Sequence, residues 1–305
     1  NNILLFQASN FENDEITSLR YKDYPALIIK DTNDSDFAEL CIFLNNYDNF
    51  EIDKDNKILK NDNLTIYYNK LYDSCELFLQ KREIFNRYKD DEQVINIFED
   101  TWVTKKEIVK SRLLHLLRKT PHIVYARKCE IREIAYKEKN EFINNNHMQG
   151  DVRSRINIGL YENDTLVSVM TFGGLRKNLG QKSKEGSFEL LRFCNTINTS
   201  VIGGASKLFK YFEKNYNPQH VISYADRCWS SGNLYEKMNF TKSNNNLIPN
   251  YFYIVDNVRK NRFGYRKDIL VSMGYDIKNT EVEIQHSRGY YRIFDCGSFK
   301  FEYNK

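Results

Sequence analysis

The residues best placed to do chemistry form a run of small side chains, Gly203, Gly204, Ala205 and Ser206, followed by Lys207. They begin an amphipathic stretch that predicts a helix over 204–214. Small residues let a ligand approach the backbone, and the first N–H groups of a helix have no internal partner. With the helix dipole they favour a bound anion such as pyrophosphate, to which Lys207 could add a charge contact. A tight turn that binds nothing is the alternative.

Two further polar groups stand where a predicted helix and a predicted strand end. His147 follows a helix predicted over 135–145, and Asp226-Arg227 closes a strand predicted over 221–225. Strand ends in open α/β sheets are where ligands bind. His147 and Asp226 are therefore candidates for a base with its orienting carboxylate, or for two ligands of a metal ion of unspecified identity. A structural histidine and a buried Asp226–Arg227 ion pair are the alternatives.

A second segment completes a pattern begun by the glycine-rich turn. It reads Trp229-Ser230-Ser231-Gly232-Asn233 and continues as Leu234-Tyr235-Glu236-Lys237-Met238-Asn239-Phe240. The two segments in this order resemble the signatures of the GNAT acyltransferase superfamily. Asn239 stands where that family usually has glycine, a mild departure because asparagine tolerates the left-handed conformation of a helix C-cap.

The GNAT resemblance implies a cofactor and a catalytic group. By it, residues 203–207 would bind the pyrophosphate of an acyl-CoA such as acetyl-CoA, and Tyr235 would be a general acid near the sulfur. The alternative is that Tyr235 is an aromatic residue of the core with no catalytic role.

The elements that must position these residues alternate between helices and strands. Beyond residue 123 the predicted order is helix 135–145, strands 156–161, 166–172 and 188–194, helix 204–214, strand 221–225, helix 231–238 and strand 250–254. This order favours an α/β (α+β) fold in which helices flank a mixed sheet. Upstream, apolar runs predict strands at 3–6, 26–29, 40–44 and 94–98, and a helix over 104–117.

Charge is distributed unevenly along the chain. Residues 1–120 carry 17 Lys and Arg against 22 Asp and Glu, whereas residues 121–305 carry 28 against 19. A basic half is typical of proteins with a phosphate-rich partner, so the predicted partner is nucleic acid, with DNA favoured. The acidic half is predicted to pack on the basic half or on a phage or host protein.

The densest basic patch lies near the C-terminal end. It consists of Arg259, Lys260, Arg262, Arg266 and Lys267. Phe263 and Tyr265 interleave with it, and such a mixture suits phosphate contacts combined with base stacking. A solvated basic face beside core aromatics is the alternative.

The remaining composition predicts a soluble cytoplasmic protein without a membrane segment. The six cysteines include no close C-x-x-C pair, which argues against a zinc ribbon and suits free thiols in a reducing cytosol. No apolar run approaches the roughly eighteen residues of a membrane helix.

A wider resemblance rests on six stretches in order. They are Ile97–Trp102, Ala126–Cys129, His147–Gly150, Gly203–Leu208, Ser223–Arg227 and Arg292–Gly297. With these, residues 92–300 resemble the C-terminal portion of phage proteins that carry a very-short-patch-repair (Vsr-like) homing endonuclease domain. The resemblance implies an infected bacterial host as the setting.

By the same resemblance, a nuclease core of the PD-(D/E)XK type would lie around residues 66–76. Tyr67 stands where the family has an acidic residue, and Asp73-Ser74 where it has a Trp-His pair. Holding Mg²⁺ for phosphodiester hydrolysis needs carboxylates, so the resemblance implies a degenerate nuclease.

The sequence thus predicts three segments and one favoured function. Residues 1–120 are a degenerate Vsr-like domain, 121–255 a GNAT-like domain, and 256–305 a basic-aromatic extension packing on the GNAT-like domain. The favoured function is a GNAT-like transferase acting on DNA or a nucleic-acid-associated substrate, similar at the level of fold to Mom-like DNA-modification proteins. The alternatives are a catalytically silent module that binds DNA or protein, and an active metal-dependent endonuclease.

Overall fold

The computed structural model describes residues 35–72, 93–175, 185–243 and 249–305, together with the backbone of two strands before them. The strands are β1 (Ile3–Gln7), β2 (Ala26–Lys30), β3 (Glu51–Asp53), β4 (Ile58–Lys60), β5 (Thr65–Asn69), β6 (Val94–Phe98), β7 (His122–Tyr125), β8 (Glu130–Glu133), β9 (Ile156–Glu162), β10 (Thr165–Gly173), β11 (Ser187–Asn195), β12 (Thr199–Ile202), β13 (His220–Asp226), β14 (Thr241–Lys242), β15 (Tyr251–Val255), β16 (Val258–Asn261), β17 (Arg292–Phe294) and β18 (Ser298–Asn304). The α-helices are α1 (Ser35–Asn45), α2 (Glu99–Thr104), α3 (Lys106–Leu116), α4 (Tyr136–Asn146), α5 (Gly204–Tyr216), α6 (Asn233–Glu236), α7 (Lys267–Ser272) and α8 (Glu281–Ser287).

The chain divides into two compact units, each discontinuous in sequence. The first unit comprises Asn1–Asp100 and Pro249–Cys296, and the second Thr101–Ile248 and Gly297–Lys305. This grouping differs from the three consecutive segments predicted above, because β18 pairs with β13 along its whole length and so joins the sheet of the second unit.

The second unit is built on a mixed sheet. Among the described residues its strand order is β14-β18-β13-β11-β10-β9-β8, and its neighbouring strands are antiparallel except for β11 and β13. The predicted mixed sheet with flanking helices is therefore confirmed at the level of an α/β fold.

Helices cover both faces of this sheet, which explains why the central strand β10 is buried almost throughout. On one face Val169 packs with Ile143 of α4. On the other face the Phe172 ring stacks on Phe212 of α5, with centroids 3.6 Å apart. The odd and even positions of β10 thus point to opposite faces, as the two-residue period of a strand requires.

In the first unit, β3, β4, β5 and β6 form one sheet in which β5 and β6 are parallel. The predicted strand at 40–44 is wrong, because these residues belong to helix α1. Its buried side chains, Phe37, Leu40, Cys41 and Leu44, recur at the spacing of a helix rather than of a strand. The apolar run at 94–98 is a buried strand as predicted.

Two other predicted elements take a different form. The strand predicted at 250–254 is β15, but it pairs with β16 and β17 in a separate three-stranded sheet of the first unit. The helix predicted over 231–238 is reduced to the four residues of α6. Within the described residues, no helix combines the length and the apolar character needed to cross a membrane.

Candidate active site

The central feature of the second unit is a gap between two parallel strands. β11 and β13 pair only from Ser187 to Glu189 with His220 to Ile222. Beyond that point β11 stays paired with β10 and β13 with β18, so the two strands part toward their carboxyl ends. Such strand ends are where ligands bind in α/β sheets.

Polar groups gather where the strands part. The Ser223 hydroxyl donates to the carbonyl of Leu190, at 2.9 Å, and lies 3.0 Å from the hydroxyl of Tyr235. A carbonyl oxygen can only accept, so the Ser223 hydroxyl donates its single proton to the Leu190 carbonyl. The Ser223 oxygen is then free to accept a hydrogen bond from the Tyr235 hydroxyl. Burial raises the pKa of Tyr235, so its hydroxyl stays protonated at neutral pH.

The position of Tyr235 depends on the turn before α6. Gly232 precedes the helix in the left-handed region, at φ +97°, and a Cβ there would lie 2.1 Å from the Phe301 ring. Phe301 in turn stacks on the Tyr235 ring at a centroid distance of 4.9 Å. Only glycine fits between this strand and this turn, which is the physical role of Gly232 in the segment Trp229–Phe240.

A β-bulge lies at the same end of β11. Thr171 of β10 pairs with Arg192 and Phe172 pairs with Leu190, which leaves Leu191 without a partner residue in the register. A bulge withdraws one residue from the hydrogen-bond ladder and commonly occurs beside active sites. The bulged residue Leu191 therefore comes immediately after Leu190, whose carbonyl accepts from Ser223.

The segment His147–Gly150, predicted as a site from its polarity, is held by two cationic side chains. Lys105 donates from Nζ to the Met148 carbonyl at 2.7 Å, and Arg192 donates from Nε to the Gly150 carbonyl at 2.8 Å. Arg192 shares a sheet face with Thr171, its partner across the ladder.

His147 and Asp226 lie in the same site, with Gln149 between them. The Gln149 backbone N–H donates to Nδ1 of His147, at 3.1 Å, and its side-chain amide donates to Oδ2 of Asp226, at 3.3 Å. The other carboxylate oxygen of Asp226 accepts from the Cys228 backbone N–H. The predicted pair is therefore brought together, but through an intervening amide.

The surroundings of His147 favour a neutral ring. Desolvation, reinforced by Arg192, Arg112 and Lys105, lowers the pKa of His147 to about 3. Because Nδ1 accepts a hydrogen bond, the proton of the neutral ring is on Nε2. This geometry favours a hydrogen-bond donor over the base proposed from the sequence. Within the described residues, no group of three or more His, Cys, Asp and Glu side chains is arranged to hold a metal ion.

The glycine-rich turn begins a helix and borders a pocket. Gly203 is the N-cap of α5 in the left-handed conformation, at φ +78°, and a Cβ on Gly204 would lie 3.0 Å from Val201. The pocket beside the turn has a volume of about 580 Å³. It is lined by Tyr125, Ala126, Arg127, Ile202, Gly203, Ser206, Lys207 and Lys210.

Lys207 has a structural role in this turn. Its ammonium donates to the carbonyls of Ala126, at 2.9 Å, and Cys129, at 2.5 Å. The side chain thereby ties α5 to the short 3-10 turn Ala126–Lys128. Contacts to a bound anion would then come mainly from the backbone N–H groups and from the neighbouring Arg127 and Lys210.

The basic patch of the first unit is partly neutralised. Arg259 pairs with Asp100, Nε to Oδ1 at 2.8 Å, and Arg262 pairs with Glu281, Nη2 to Oε2 at 3.0 Å. Lys260 and Arg266 are exposed, and Lys267 is half-buried. Arg266 makes a surface ion pair with Asp268 at 3.3 Å.

Of the nuclease residues predicted by resemblance, Tyr67 is on β5 and is half-buried. Asp73 and Ser74 lie outside the described residues. The Vsr-like assignment therefore stays a prediction.

Sequence reasoning assigned no role to Lys105, Arg112 and Arg192. Gln149 and Ser223 lie in the stretches His147–Gly150 and Ser223–Arg227, which the sequence analysis named without giving these two side chains a role. For Arg192, the available signal was a charge between apolar neighbours in a predicted strand.

No protein-family model matches this sequence, and no curated protein matches it. Solved structures to which this chain is similar include an acetyltransferase of Bacillus subtilis in complex with CoA, with 10% identity over 58% of this chain and 99% of that one and a TM-score of 0.34. A ribosomal-protein-alanine N-acetyltransferase of Brucella melitensis is similar at 11% identity over 58% and 99%, with a TM-score of 0.33. A GNAT family acetyltransferase of Elizabethkingia anophelis with acetyl-CoA bound is similar at 8% identity over 58% and 99%, with a TM-score of 0.32. At these values the likeness assigns no activity to this chain.

Proposed function

We propose that the second unit is a GNAT-like N-acetyltransferase that uses acetyl-CoA. The observation that carries the proposal is the parting of β11 and β13, with the Tyr235 hydroxyl and the Ser223–Leu190 hydrogen bond at the point where they separate. An extended thioester arm can lie in such a gap, because strand-like chain pairs naturally with unpaired strand edges.

The nucleotide end of the cofactor would bind at the start of α5. The helix N-terminus offers unpaired N–H groups and a partial positive charge to pyrophosphate. Tyr125 and Ile202, which line the pocket, remain exposed and supply an apolar surface for the adenine, while Arg127 and Lys210 lie beside them for phosphates. The tight packing of Gly204 against Val201 brings the backbone itself, rather than a side chain, to the ligand.

Bound acetyl-CoA supplies an activated thioester carbonyl, and this chain supplies proton transfer and charge stabilisation. The Leu191 N–H, withdrawn from the ladder by the bulge, is the candidate donor to the carbonyl oxygen as negative charge develops there. Tyr235 gives its proton to the departing sulfur. The Asp226 carboxylate, which accepts only from Gln149 and Cys228 in the described structure, takes the proton that the acceptor amine loses. An N–C bond forms as the C–S bond breaks.

A nucleic-acid acceptor is the narrower form of this proposal. Its support is the excess of basic residues beyond residue 120 and the exposure of Lys260, Phe263 and Arg266. The neutralised pairs of Arg259 and Arg262 limit the patch to fewer phosphate contacts than the sequence predicts.

The proposal is tested by titrating acetyl-CoA into the full chain. Ser206→Glu puts a negative charge in the first turn of α5, where it favours the helix but repels pyrophosphate. Asn215→Glu puts the same charge near the far end of the same helix as the matched control. We expect 1:1 binding that Ser206→Glu abolishes and Asn215→Glu retains. No binding to the wild-type chain would refute the transferase and favour a catalytically silent binding module.

A further inference from the structure

A second pocket of the second unit lies away from the glycine-rich turn. Its volume is about 450 Å³, which is within the range of small-molecule sites. The end of β9 and the beginning of β10 line one side of it. Residues 121–124, which include most of β7, and the threonines Thr196 and Thr199 at the beginning of β12 line the other.

The β9–β10 hairpin presents a carboxylate to this pocket. Asn163 and Asp164 form its turn, both in the left-handed region at φ 47° and 63°, which is the form that suits a two-residue hairpin. Glu162 and Thr165 therefore stand opposite each other where the hairpin ends. Glu162 is half-buried, and within the described part of the chain its carboxylate makes no hydrogen bond and no ion pair. A carboxylate lining a pocket in this state favours a ligand with positive charge.

Two threonine side chains add oxygen acceptors beside this carboxylate. The Thr196 hydroxyl donates to the Leu166 carbonyl, and the Thr199 hydroxyl donates to the Ile197 carbonyl, each at 3.3 Å. Each hydroxyl has a single proton, so both oxygens retain only lone pairs for a ligand. The backbone N–H groups of Thr196 and Thr199 also donate to carbonyls of the protein. A ligand that donates hydrogen bonds therefore matches these groups.

The apolar part of the lining is aliphatic. It consists of Pro121, Ile123, Val124, Leu166 and Val167, and none of the described residues that line the pocket is Phe, Tyr or Trp. Quaternary ammonium groups are recognised by aromatic rings, so this lining favours an ammonium that keeps its N–H groups. One carboxylate and two hydroxyls are also fewer oxygens than the six to eight that Ca²⁺ takes.

We propose that this pocket binds a primary ammonium group at the end of an aliphatic chain. Glu162 is its counter-ion, and the hydroxyl oxygens of Thr196 and Thr199 accept from its remaining N–H groups. The site is separate from the proposed point of acyl transfer, because Thr196 follows Leu191 by five residues, about 16 Å of extended strand. An amine bound here is not the amine that would react, and the inference does not rest on the proposed transferase function.

The test is a titration of n-pentylammonium chloride into the full chain, followed by the backbone amide resonances. 1-Pentanol and sodium pentanoate are the matched probes, because they keep the carbon chain and change only the head group. We expect pentylammonium to bind 1:1 and to shift the signals of Thr196 and Thr199. 1-Pentanol should bind about 10-fold more weakly or worse, because it forms no charge-assisted hydrogen bond, and pentanoate should not bind.

Two variants of the pocket and one control locate the bound amine. Glu162→Gln keeps the shape of the side chain and should weaken pentylammonium binding by about 10- to 100-fold while 1-pentanol binding is unchanged. Thr196→Val should weaken it by about 2- to 10-fold. Glu141→Gln removes an exposed carboxylate of α4 and should leave binding as in the wild type. Unfolding followed by tryptophan fluorescence checks that each variant is folded.

Three results would overturn the assignment. They are no binding of pentylammonium to the wild-type chain, equal affinities for pentylammonium and 1-pentanol, and a Glu162→Gln chain that binds pentylammonium as the wild type does. If Asp226→Asn removes binding in that last case, the amine lies at the proposed point of acyl transfer instead. The acetyl-CoA titration tests the proposed function separately, so either proposal can fail while the other stands.

Discussion

At the scale of single residues, the ionisation of His147 is set by its neighbours. Its pKa of about 3 follows first from desolvation and then from three nearby cations. The sequence predicted His147 and Asp226 as a pair, and the structure brings them together through Gln149. It could not show Gln149 between them, since that contact joins residues 77 positions apart.

The lowered pKa of His147 makes a prediction about stability and pH. The unfolded chain binds a proton at this ring near pH 6.5, whereas the folded chain binds it only near pH 3, so stability falls as the pH drops through this interval. His147→Gln removes this contribution, and its melting temperature should fall less between pH 7 and pH 4 than that of the wild type. His122→Gln, at an exposed histidine, is the control and should behave as wild type. Parallel pH profiles for all three chains would contradict the lowered pKa of His147.

Tyr235 gives the second prediction at this scale. Because burial raises its pKa, the hydroxyl holds its proton until strongly alkaline pH and can serve as an acid. Tyr235→Phe should lower kcat by about 100-fold or more while acetyl-CoA affinity changes little. Tyr216→Phe removes a surface hydroxyl bonded to Glu133 and should leave kcat unchanged. A Tyr235→Phe chain with normal kcat would mean that the ring has only a packing role.

At the scale of elements, α6 shows how a short helix is fixed from outside. Four residues are too few for a helix to be stable by itself, so packing must hold it. The contact between Gly232 and Phe301 of β18 provides that packing. The sequence indicated the helix but overestimated its length, because β18 and its aromatic rings lie far away in the chain.

Gly232→Ala should therefore destabilise the second unit. The added Cβ would meet the Phe301 ring at 2.1 Å in a backbone region that alanine disfavours, and the expected loss is about 2 kcal/mol or more of the free energy of unfolding. Both tryptophans, Trp102 and Trp229, belong to the second unit, so urea unfolding followed by fluorescence reports on it. Gly174→Ala, where a Cβ makes only ordinary contacts, is the control. Equal unfolding midpoints for the two variants would contradict the packing described.

The helix α1 shows why a short apolar run misled the strand prediction. Residues 40–44 are apolar enough to suggest a strand, but burial follows Phe37, Leu40, Cys41 and Leu44, whose spacing is helical. Periodicity over a window longer than five residues would have distinguished the two.

At the scale of the whole molecule, the sheet of the second unit is interrupted in sequence. Pro249–Cys296 lies between β14 and β18, and these two strands are neighbours in the sheet. Local patterns predicted the strands β9, β10, β11 and β13 and the helices α4 and α5 of this unit, because each depends on its own periodicity. They could not predict that β18 joins this sheet beside β13 and β14, because strand pairing across such a sequence separation leaves no local signal.

The nucleic-acid partner, which remains a proposal, gives a prediction for the exposed part of the basic patch. Lys260→Gln combined with Arg266→Gln should weaken DNA binding to all sequences alike and flatten the salt dependence by about one unit per lost phosphate contact. Filter binding over a series of salt concentrations measures both quantities. An unchanged affinity and slope would mean that this patch contacts no phosphate.

Arg262 is unsuited to that test. Glu281 accepts from Arg262 and also from the hydroxyls of Tyr251 and Tyr253, so Arg262→Ala would leave a largely buried carboxylate without its cation. This variant should destabilise the first unit, and any loss of DNA binding would reflect folding.

The central claim concerns where an acyl-CoA lies in the second unit, and a crystal structure of the chain with acetyl-CoA tests it most directly. We predict that the pyrophosphate lies within hydrogen-bond distance of the backbone N–H groups of Gly204, Ala205 and Ser206, and that the thioester lies where β11 and β13 part, next to the Tyr235 hydroxyl. Acetyl-CoA bound elsewhere on the chain, or a gap between Leu190 and Ser223 that stays closed to the thioester at saturating cofactor, would contradict the account.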